Sequence, residues 1–187
     1  MAHITIIAGG IGSGKSVVSR LLSVMGYPTY DCDSRAKWLM NHNITLKNQI
    51  TALLGMKAYC GAVLDNGYVA SRIFADGGLL KQINSLVHPA VKADIALWAE
   101  SHEGRRCFVE TALLTESGLG MMAQDVWVVD APVDVRIERV ARRSALTEAH
   151  IRQRISAQTD VTTLPGVHLI VNDGKCALLP QLLHLLN

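Results

Sequence analysis

The residues with the clearest chemical potential form a run of eight, from Gly9 to Ser16, that follows a short apolar stretch. Gly9, Gly14, Lys15 and Ser16 match the spacing of a phosphate-binding loop, in which a glycine is followed by four free positions and then by Gly-Lys-Ser. Glycines allow backbone N–H groups to turn towards an anion. A helix beginning at the loop would direct its N-terminal amides at the same anion. The segment therefore predicts binding of a nucleoside triphosphate.

Each position of this loop has an expected role. We expect Lys15 to contact the β- and γ-phosphates and the Ser16 hydroxyl to bind Mg²⁺. Apolar residues at helical spacing follow, and Gly26 is placed to end that helix. The alternative, a glycine-rich turn without a ligand, is weakened because the strand, loop and helix signals coincide. The residues predicted to contact ATP are Gly10, Ile11, Gly12, Ser13, Gly14, Lys15, Ser16 and Val17.

Two aspartates, Asp31 and Asp33, follow the second predicted strand. A carboxylate at that position could accept a proton from an acceptor hydroxyl while the loop holds ATP nearby. The alternative is that Asp33 is the N-cap of the helix that carries Ala36, Leu39 and Met40. Spacing alone leaves catalysis and capping about even, and one residue could serve both purposes.

Six arginines lie between residues 136 and 154, although the formal net charge of the chain is only +2. At about 100° per residue, Arg136, Arg139 and Arg143 share one side of a helix, next to its apolar face. Arg142 points elsewhere. Arginines that a closing segment brings over a phosphate stabilise the charge that develops in phosphoryl transfer. A solvated basic face is the alternative, and the pattern alone slightly favours it.

The arginine helix is predicted to be one arm of a helical hairpin. Residues 144–147 have the character of a turn, and Thr147 is placed to cap a second helix that continues to about Gln158. A hairpin over residues 136–158 could therefore act as a lid over a bound nucleotide.

Three further polar residues lie next to predicted strands or helices. Asp130 and Glu110 each end a predicted strand and are equal candidates to assist Mg²⁺ binding. His88 and Pro89 join two helical patterns, with Pro89 expected in the first turn of the second helix. On pattern alone His88 is interpreted as structural.

Short apolar runs alternate with helical patterns along the chain, which is typical of an α/β fold with a mainly parallel sheet. A long helical stretch, residues 34–102, separates the second strand from the third and predicts an inserted subregion, with a turn at Asp65-Asn66-Gly67. We expect one domain, with a core over about residues 1–33 and 103–187. The five predicted strands are residues 3–8, 29–30, 106–110, 126–130 and 167–171.

Composition narrows the class of protein. The 187 residues are 49% hydrophobic with a mean hydropathy of +0.22, as expected for a sheet buried on both faces. No apolar run approaches the ~20 residues of a membrane span, and no secretory signal is visible, so the expected location is the cytoplasm. The small net charge gives no argument for nucleic-acid or membrane binding. The irregularly spaced cysteines indicate neither a zinc site nor a disulfide framework. A weak homo-oligomer is compatible with this composition.

Taken in order, these pieces resemble the dephospho-coenzyme A kinase family. The resemblance runs along most of the chain, and the combination of the loop, the aspartate pair and the His-Pro junction is more specific than the loop alone. The matching segments are residues 9–16, Asp31-Cys32-Asp33 with Arg35-Ala36, Ile73-Phe74, Leu86-Val87-His88-Pro89, Leu113-Leu114 with Glu116, Val129-Asp130, the arginine helix ending in Arg143, Ala157-Gln158, and Asn172 with Gly174.

The resemblance implies transfer of the ATP γ-phosphate to the ribose 3′-hydroxyl of dephospho-coenzyme A, the last step of coenzyme A synthesis. It also implies a three-layer P-loop kinase fold with a helical substrate-binding region and a helical lid. Its catalytic residues would be Lys15, the base Asp33 in preference to Asp31, and the lid arginines Arg139 and Arg143. Asn172 and Gly174 would lie near the adenine. Asp31, Asp33, His88 and Arg72, the last as a substitute for an arginine expected after Gly67, would bind the acceptor.

Two other functions remain open from the residues themselves. The first is a kinase of the same fold that acts on another hydroxyl acceptor, such as a nucleotide or a polyol. The second is a nucleotide-dependent switch that binds a partner without phosphorylating a metabolite. The Asn-Lys-x-Asp motif by which guanine-specific switches read their base does not occur in the chain, which lowers the second possibility.

Overall fold

The computed structural model describes residues 2–187 and alternates strands with helices throughout. Two short 3₁₀ helices, Met56–Ala58 and Leu119–Met122, accompany the regular elements. In chain order the regular elements are β1 (His3–Ala8), α1 (Lys15–Val24), β2 (Thr29–Asp31), α2 (Cys32–His42), α3 (Ile44–Leu54), β3 (Tyr59–Cys60), β4 (Val63–Leu64), α4 (Asn66–Ala75), α5 (Leu79–Glu100), β5 (Arg106–Glu110), α6 (Leu114–Ser117), β6 (Asp125–Asp130), α7 (Val133–Arg143), α8 (Glu148–Ser156), β7 (Val167–Val171) and α9 (Leu178–Leu186).

Five of the strands form one parallel sheet in the order β2-β5-β1-β6-β7. The sequence predicted all five, and the α/β fold with a mainly parallel five-stranded sheet is confirmed. Ile7 in β1 lies opposite Glu110 in β5 and Trp127 in β6. Because parallel strands end at the same edge of a sheet, the loop after β1 emerges beside the ends of β5 and β6.

The core of this sheet is apolar and packs against helices α1 and α9. Phe108 in β5 and Trp127 in β6 are fully buried, and their ring centroids lie 5.1 Å apart. Tyr27 meets Phe108 edge to face, with centroids 5.4 Å apart. Val18 and Leu22 of α1 and Leu182 of α9 are completely buried in the same cluster. This packing fixes where α1 begins, and therefore where the glycine loop lies.

The chain divides into two compact units. The first contains the residues up to Asp31 together with Ala99–Asn187, and so holds the whole parallel sheet. The second, Cys32–Trp98, contains α2 to α4, the β3–β4 hairpin and most of α5. No helix of residues 2–187 has the length and apolar character needed to cross a membrane.

The turn inside the second unit lies earlier than the sequence predicted. Asn66 and Gly67 begin α4, and the Asp65 side chain caps that helix by accepting a hydrogen bond of 2.9 Å from the Tyr68 amide. The turn instead lies in the short β3–β4 hairpin, where Gly61 has a positive φ of 62°. The prediction of a turn at Asp65-Asn66-Gly67 was wrong because an aspartate before a helix and one before a turn give the same local signal.

Helix α5 is continuous through Pro89, so the prediction of two helices joined at His88-Pro89 was wrong. Proline removes one helical hydrogen bond and crowds the preceding turn, at a cost of ~3 kcal/mol. Residues at every fourth position are buried on both sides of it, and Pro89 itself lies on the exposed face. This stripe is Leu79, Ile83, Val87, Val91, Ile95 and Ala99. Its burial offsets the lost hydrogen bond, because each buried Leu, Ile or Val side chain in it contributes about 1.5–3 kcal/mol.

Candidate phosphoryl-transfer site

The glycine loop has the backbone shape of an anion cradle between β1 and α1. Gly12 and Gly14 have positive φ angles of 79° and 96°, which side chains with a Cβ rarely adopt. A methyl group at Gly12 would lie 2.6 Å from the Arg136 carbonyl oxygen, and one at Gly14 would overlap Nδ2 of Asn172. Both glycines are therefore required by backbone conformation and by space.

Lys15 opens α1 and folds back over the loop. Its Nζ donates to the carbonyl oxygens of Gly9 at 2.8 Å and Gly10 at 3.3 Å. The first turn of α1 contains no acidic residue, so the positive end of the helix dipole is not offset there. Ser16 is exposed in this first turn. The Lys15 ammonium, the Ser16 hydroxyl and the N-terminus of α1 thus all lie at the end of the glycine loop.

The Ser13 hydroxyl marks the loop as incomplete without a ligand or water. Its Oγ is buried and has no hydrogen-bond partner within residues 2–187. A buried hydroxyl left in this state costs about 1–3 kcal/mol, which a phosphate oxygen or a water molecule would recover.

Arg139 and Asn172, two of the residues predicted from the sequence, converge on the loop at Ser13. The Ser13 carbonyl oxygen accepts from Asn172 Nδ2 at 2.7 Å and from Arg139 at 3.3 Å. Arg139 also donates to Asn172 Oδ1 at 3.3 Å. Asn172 is buried, and its backbone N–H donates to the Asp130 carbonyl oxygen, so the ends of β6 and β7 fix its position. Ser13, Arg139 and Asn172, which come from separate parts of the chain, are therefore each hydrogen-bonded to the other two.

Arg136 reaches the same loop, one helical turn before Arg139. Its Nε donates to the Ile11 carbonyl oxygen at 2.9 Å, while the Ile11 amide donates to Gln158 Oε1 at 2.7 Å. Burial lowers the pKa of Arg136, and the charges of Asp130 and Asp160 raise it in part. The sequence placed Arg136 on the correct helix face, but neither Arg136 nor Gln158 was assigned a contact with the loop. The shared face with Arg139 was the available signal for Arg136, and nothing in the local pattern indicated the bond from Ile11 to Gln158.

The two arms of the arginine hairpin match the sequence prediction. Helix α8 follows α7 after a short turn, and the Thr147 side chain caps α8 by accepting from the His150 amide at 3.4 Å. Ile137, Val140 and Ile151 form a buried cluster between the arms. Arg143 is exposed at the end of α7, and Arg142 is paired with Glu138 at 2.6 Å.

A cavity of about 370 Å³ opens beside this part of the loop. Its lining includes Gly10 of the loop and Arg136 of α7, together with Asp130 and Asp160. Gln158, at the end of the hairpin, also lines it. The cavity therefore combines one guanidinium with two acidic groups next to the phosphate loop.

The residues predicted to bind the acceptor are distributed over both units. Asp31 ends β2, is exposed, and lies opposite Glu110 in the sheet. Asp33, Arg72 and His88 belong to the second unit. Helix α2 begins at Cys32, so Asp33 is its second residue and the alternative reading of Asp33 as the N-cap was wrong. Within residues 2–187 no cluster of three or more histidine, cysteine or acidic side chains is arranged to hold a metal ion.

An ion pair inside the second unit braces the helix that carries Asp33. Arg35 donates through Nε and one terminal nitrogen to the two carboxylate oxygens of Asp94 in α5, at 2.9 and 2.7 Å. The guanidinium also stacks over the Trp38 ring at 4.3 Å. The Asp94 side chain is only 18% exposed, so this pair is better shielded from water than most surface pairs.

We expect Asp94→Asn to lower the free energy of unfolding by roughly 1–2 kcal/mol, because a bidentate, charge-assisted pair is replaced by an imperfect neutral contact. Urea unfolding followed by circular dichroism measures the change. Glu138→Gln is the matched control, since it breaks the Arg142–Glu138 pair, whose side chains are 77% and 61% exposed. The control is expected to cost no more than about 0.5 kcal/mol. If both variants lowered the free energy of unfolding by the same amount, the Arg35–Asp94 pair would contribute no more to stability than an exposed surface pair.

Comparison with known proteins places this geometry in a family context. The family model for dephospho-CoA kinase matches residues 3–175. A protein of Porphyromonas gingivalis named dephospho-CoA kinase is 40% identical over 183 residues, covering 96% of this chain and 91% of its own. One of Bacteroides fragilis with the same name is 35% identical and covers 96% and 89%.

Two solved structures share the fold. A crystal structure of a Thermus thermophilus protein has a TM-score of 0.85 at 29% identity, covering 99% of this chain and 96% of its own. The dephospho-CoA kinase from Campylobacter jejuni has a TM-score of 0.71 at 20% identity, covering 100% and 96%.

Proposed function

The chain belongs to the dephospho-CoA kinase family, and we propose that it transfers the γ-phosphate of ATP to the ribose 3′-hydroxyl of dephospho-CoA, giving CoA and ADP. The observation that carries this proposal is the convergence of Lys15, Arg139 and Asn172 on a glycine loop that follows a parallel strand. The loop binds the donor, and the family supplies the identity of the acceptor.

On the donor side, Lys15 exchanges the Gly9 and Gly10 carbonyl oxygens for oxygens of the β- and γ-phosphates. These two bonds keep the ammonium over the loop until ATP arrives. Loop amides and the N-terminus of α1 receive the remaining negative charge. Arg139, already bonded to Ser13 and Asn172, lies beside the phosphates, and Arg143 adds a second guanidinium from the end of α7. Asn172 and Gly174 border the adenine.

The loop residues fit a magnesium ion that would be held chiefly by the nucleotide. Mg²⁺ keeps several waters and takes few protein ligands beside phosphate oxygens. The exposed Ser16 hydroxyl would provide one such ligand at the loop, and the buried, unpaired Ser13 hydroxyl is consistent with a phosphate close by. Asp130 or Glu110, both at the ends of strands next to β1, would assist in holding the ion. When bound, the ion neutralises charge on the transferring phosphoryl group.

On the acceptor side, Asp33 takes the proton from the ribose 3′-hydroxyl as the oxygen attacks the γ-phosphorus. The bond between that phosphorus and the β–γ bridging oxygen breaks, and ADP carries the released charge. Asp31, Arg72 and His88 bind the acceptor. Positioning and electrostatic stabilisation provide most of the rate, because phosphoryl transfer requires little covalent chemistry from the protein.

The direct test is ADP formation by the purified protein with Mg-ATP and a panel of acceptors. We expect turnover with dephospho-CoA, with the product phosphorylated at the 3′-position by mass spectrometry and phosphorus NMR. Background hydrolysis without acceptor is expected to be at least about 100-fold slower, since proximity and orientation of the hydroxyl contribute several kcal/mol. Turnover with another nucleotide or a polyol, and not with dephospho-CoA, would show that the protein is a kinase for a different acceptor. ATP hydrolysis that no acceptor stimulates would favour a switch.

A further inference from the structure

Ile11, at the centre of the glycine loop, has both of its backbone hydrogen-bonding groups taken by side chains from the arginine hairpin. Its carbonyl oxygen accepts from Arg136 Nε at 2.9 Å, and its amide donates to Gln158 Oε1 at 2.7 Å. Arg136 and Gln158 also meet each other at 3.5 Å. A single loop residue is therefore held from both sides by α7 and by the residue two positions after the end of α8.

The neighbours of Ile11 are fitted to the same arginine. An added methyl group at Gly10 would overlap the Arg136 guanidinium, and one at Gly12 would lie 2.6 Å from the Arg136 carbonyl oxygen. The Ile11 side chain packs against the buried cluster of Ile137, Val140 and Ile151, which joins the loop to the apolar interior of the hairpin. Three consecutive loop residues thus contact one residue of α7 or the cluster beneath it.

The chemistry of the two side chains suits this task. A guanidinium is a planar, permanently charged donor, so its bond to a carbonyl oxygen persists at any physiological pH. Gln158 must present its oxygen, since the Ile11 amide is a donor and the amide nitrogen could not accept its proton. The negative charges of Asp130 and Asp160 raise the pKa of the guanidinium and so favour its charged form, and both residues border the adjoining cavity.

We infer that Arg136 and Gln158 are positioning residues that hold Ile11 and thereby keep the neighbouring loop amides turned towards the triphosphate. The Ile11 amide is consequently an anchor of the loop and does not contact a phosphate. The pair also makes nucleotide affinity depend on the docking of α7 and α8 against the loop. This inference rests on the proposed role of the loop as the ATP site, and it deepens that role without depending on which acceptor is used.

The test measures the dissociation constant of Mg-ATP by calorimetry in the absence of acceptor. Arg136→Met keeps the aliphatic stem and removes the fork, and Gln158→Met removes the acceptor at similar length. Each is expected to weaken ATP binding by roughly 10-fold or more, since each removes a hydrogen bond to a charged or buried group. The double variant is expected to lose little beyond either single variant, because both residues act through Ile11. Arg136→Lys is expected to recover part of the loss.

Arg142→Met is the matched control, because Arg142 lies on the same helix, is exposed and pairs with Glu138. It is expected to bind ATP as the wild type does. In Arg136→Met and Gln158→Met, KM for dephospho-CoA is expected to stay within about twofold while KM for ATP rises. If either Arg136→Met or Gln158→Met lowers the melting temperature by several degrees, the ATP affinity of the other variant tests the inference.

Three results would overturn the inference. They are wild-type ATP affinity in both variants, equal losses for ATP and dephospho-CoA, or fully additive losses in the double variant. Failure of the proposed function would be recognised separately. A wild-type protein that binds ATP but does not phosphorylate dephospho-CoA would contradict the proposed function, yet the ATP dissociation constants of the variants could still be compared with its own. A wild-type protein that binds no ATP would overturn both.

Discussion

Replacing Lys15 by methionine is expected to lower kcat by roughly 10²–10³-fold, as when one preorganised donor to a developing charge is removed. Methionine keeps the length of the side chain but has no charge. The Lys15 ammonium lies over the loop carbonyls. In the proposed mechanism it stabilises the β- and γ-phosphates more strongly as the bond between the γ-phosphorus and the bridging oxygen breaks. Because that interaction strengthens in the transition state, kcat is expected to fall more than ATP affinity. Initial rates of ADP formation, with the ATP dissociation constant measured separately, test this.

Lys81→Met is the matched control for this prediction. Lys81 is an exposed lysine near the start of α5, in the unit that does not contain the loop. The control is expected to keep kcat within about twofold, as is usual for a surface change of this kind. A Lys15→Met protein that turned over at the control rate would exclude Lys15 from the chemistry. A higher KM for ATP with an unchanged kcat would show that Lys15 contributes only to binding of ATP in the ground state.

The parallel sheet could be predicted because its sequence signals are local. Strands β1, β5, β6 and β7 are short apolar runs with polar residues or glycine at or just after their ends, and β1, β5 and β6 have buried residues at consecutive positions, so both of their faces are covered. The glycine loop was predicted for the same reason, since spacing within eight residues decides its conformation. The left-handed angles of Gly12 and Gly14 are the physical basis of that spacing.

Helix α5 shows where local signals mislead. Pro89 is a strong local sign of a helix boundary, yet the buried stripe continues from Val87 to Val91 with a period of four. Burial along the whole helix outweighs the lost hydrogen bond. The apolar period by itself predicts a single helix that runs through Pro89. The short β3–β4 hairpin gave a weaker signal still, since each of its strands has only two residues.

The contacts of Ile11 could not be predicted because they join residues far apart in the chain. Arg136 lies 125 positions after Ile11, and Gln158 lies 147 positions after it. Spacing on α7 placed Arg136 beside Arg139, which is correct, but it could not show which backbone group each guanidinium would reach. Asn172 is a related case, because its bond to Ser13 depends on the adjacency of β6 and β7 as well as on its own identity.

Asp33→Asn is expected to lower kcat by roughly 10²–10⁴-fold, the usual contribution of a positioned general base. Asparagine has nearly the same shape as aspartate but cannot accept the hydroxyl proton. Asp33 is exposed in the first turn of α2, so the change is expected to leave the melting temperature within a few degrees of the wild type. ATP affinity is expected to be unchanged, because the proposed ATP site is the glycine loop, which does not include Asp33. Single-turnover rates of phosphate transfer isolate the chemical step from product release.

Asp31→Asn is the comparison that assigns the base, because the two aspartates are separated by one residue and have the same chemistry. If Asp33 is the base and Asp31 binds the acceptor, Asp31→Asn raises KM for dephospho-CoA while the single-turnover rate at saturation stays close to the wild-type rate. The opposite pattern, with the large loss of rate in Asp31→Asn, would assign the base to Asp31. Small effects in both variants would show that neither carboxylate takes the proton, and the rate would then depend on the charge stabilisation supplied by Lys15, Arg139 and Arg143.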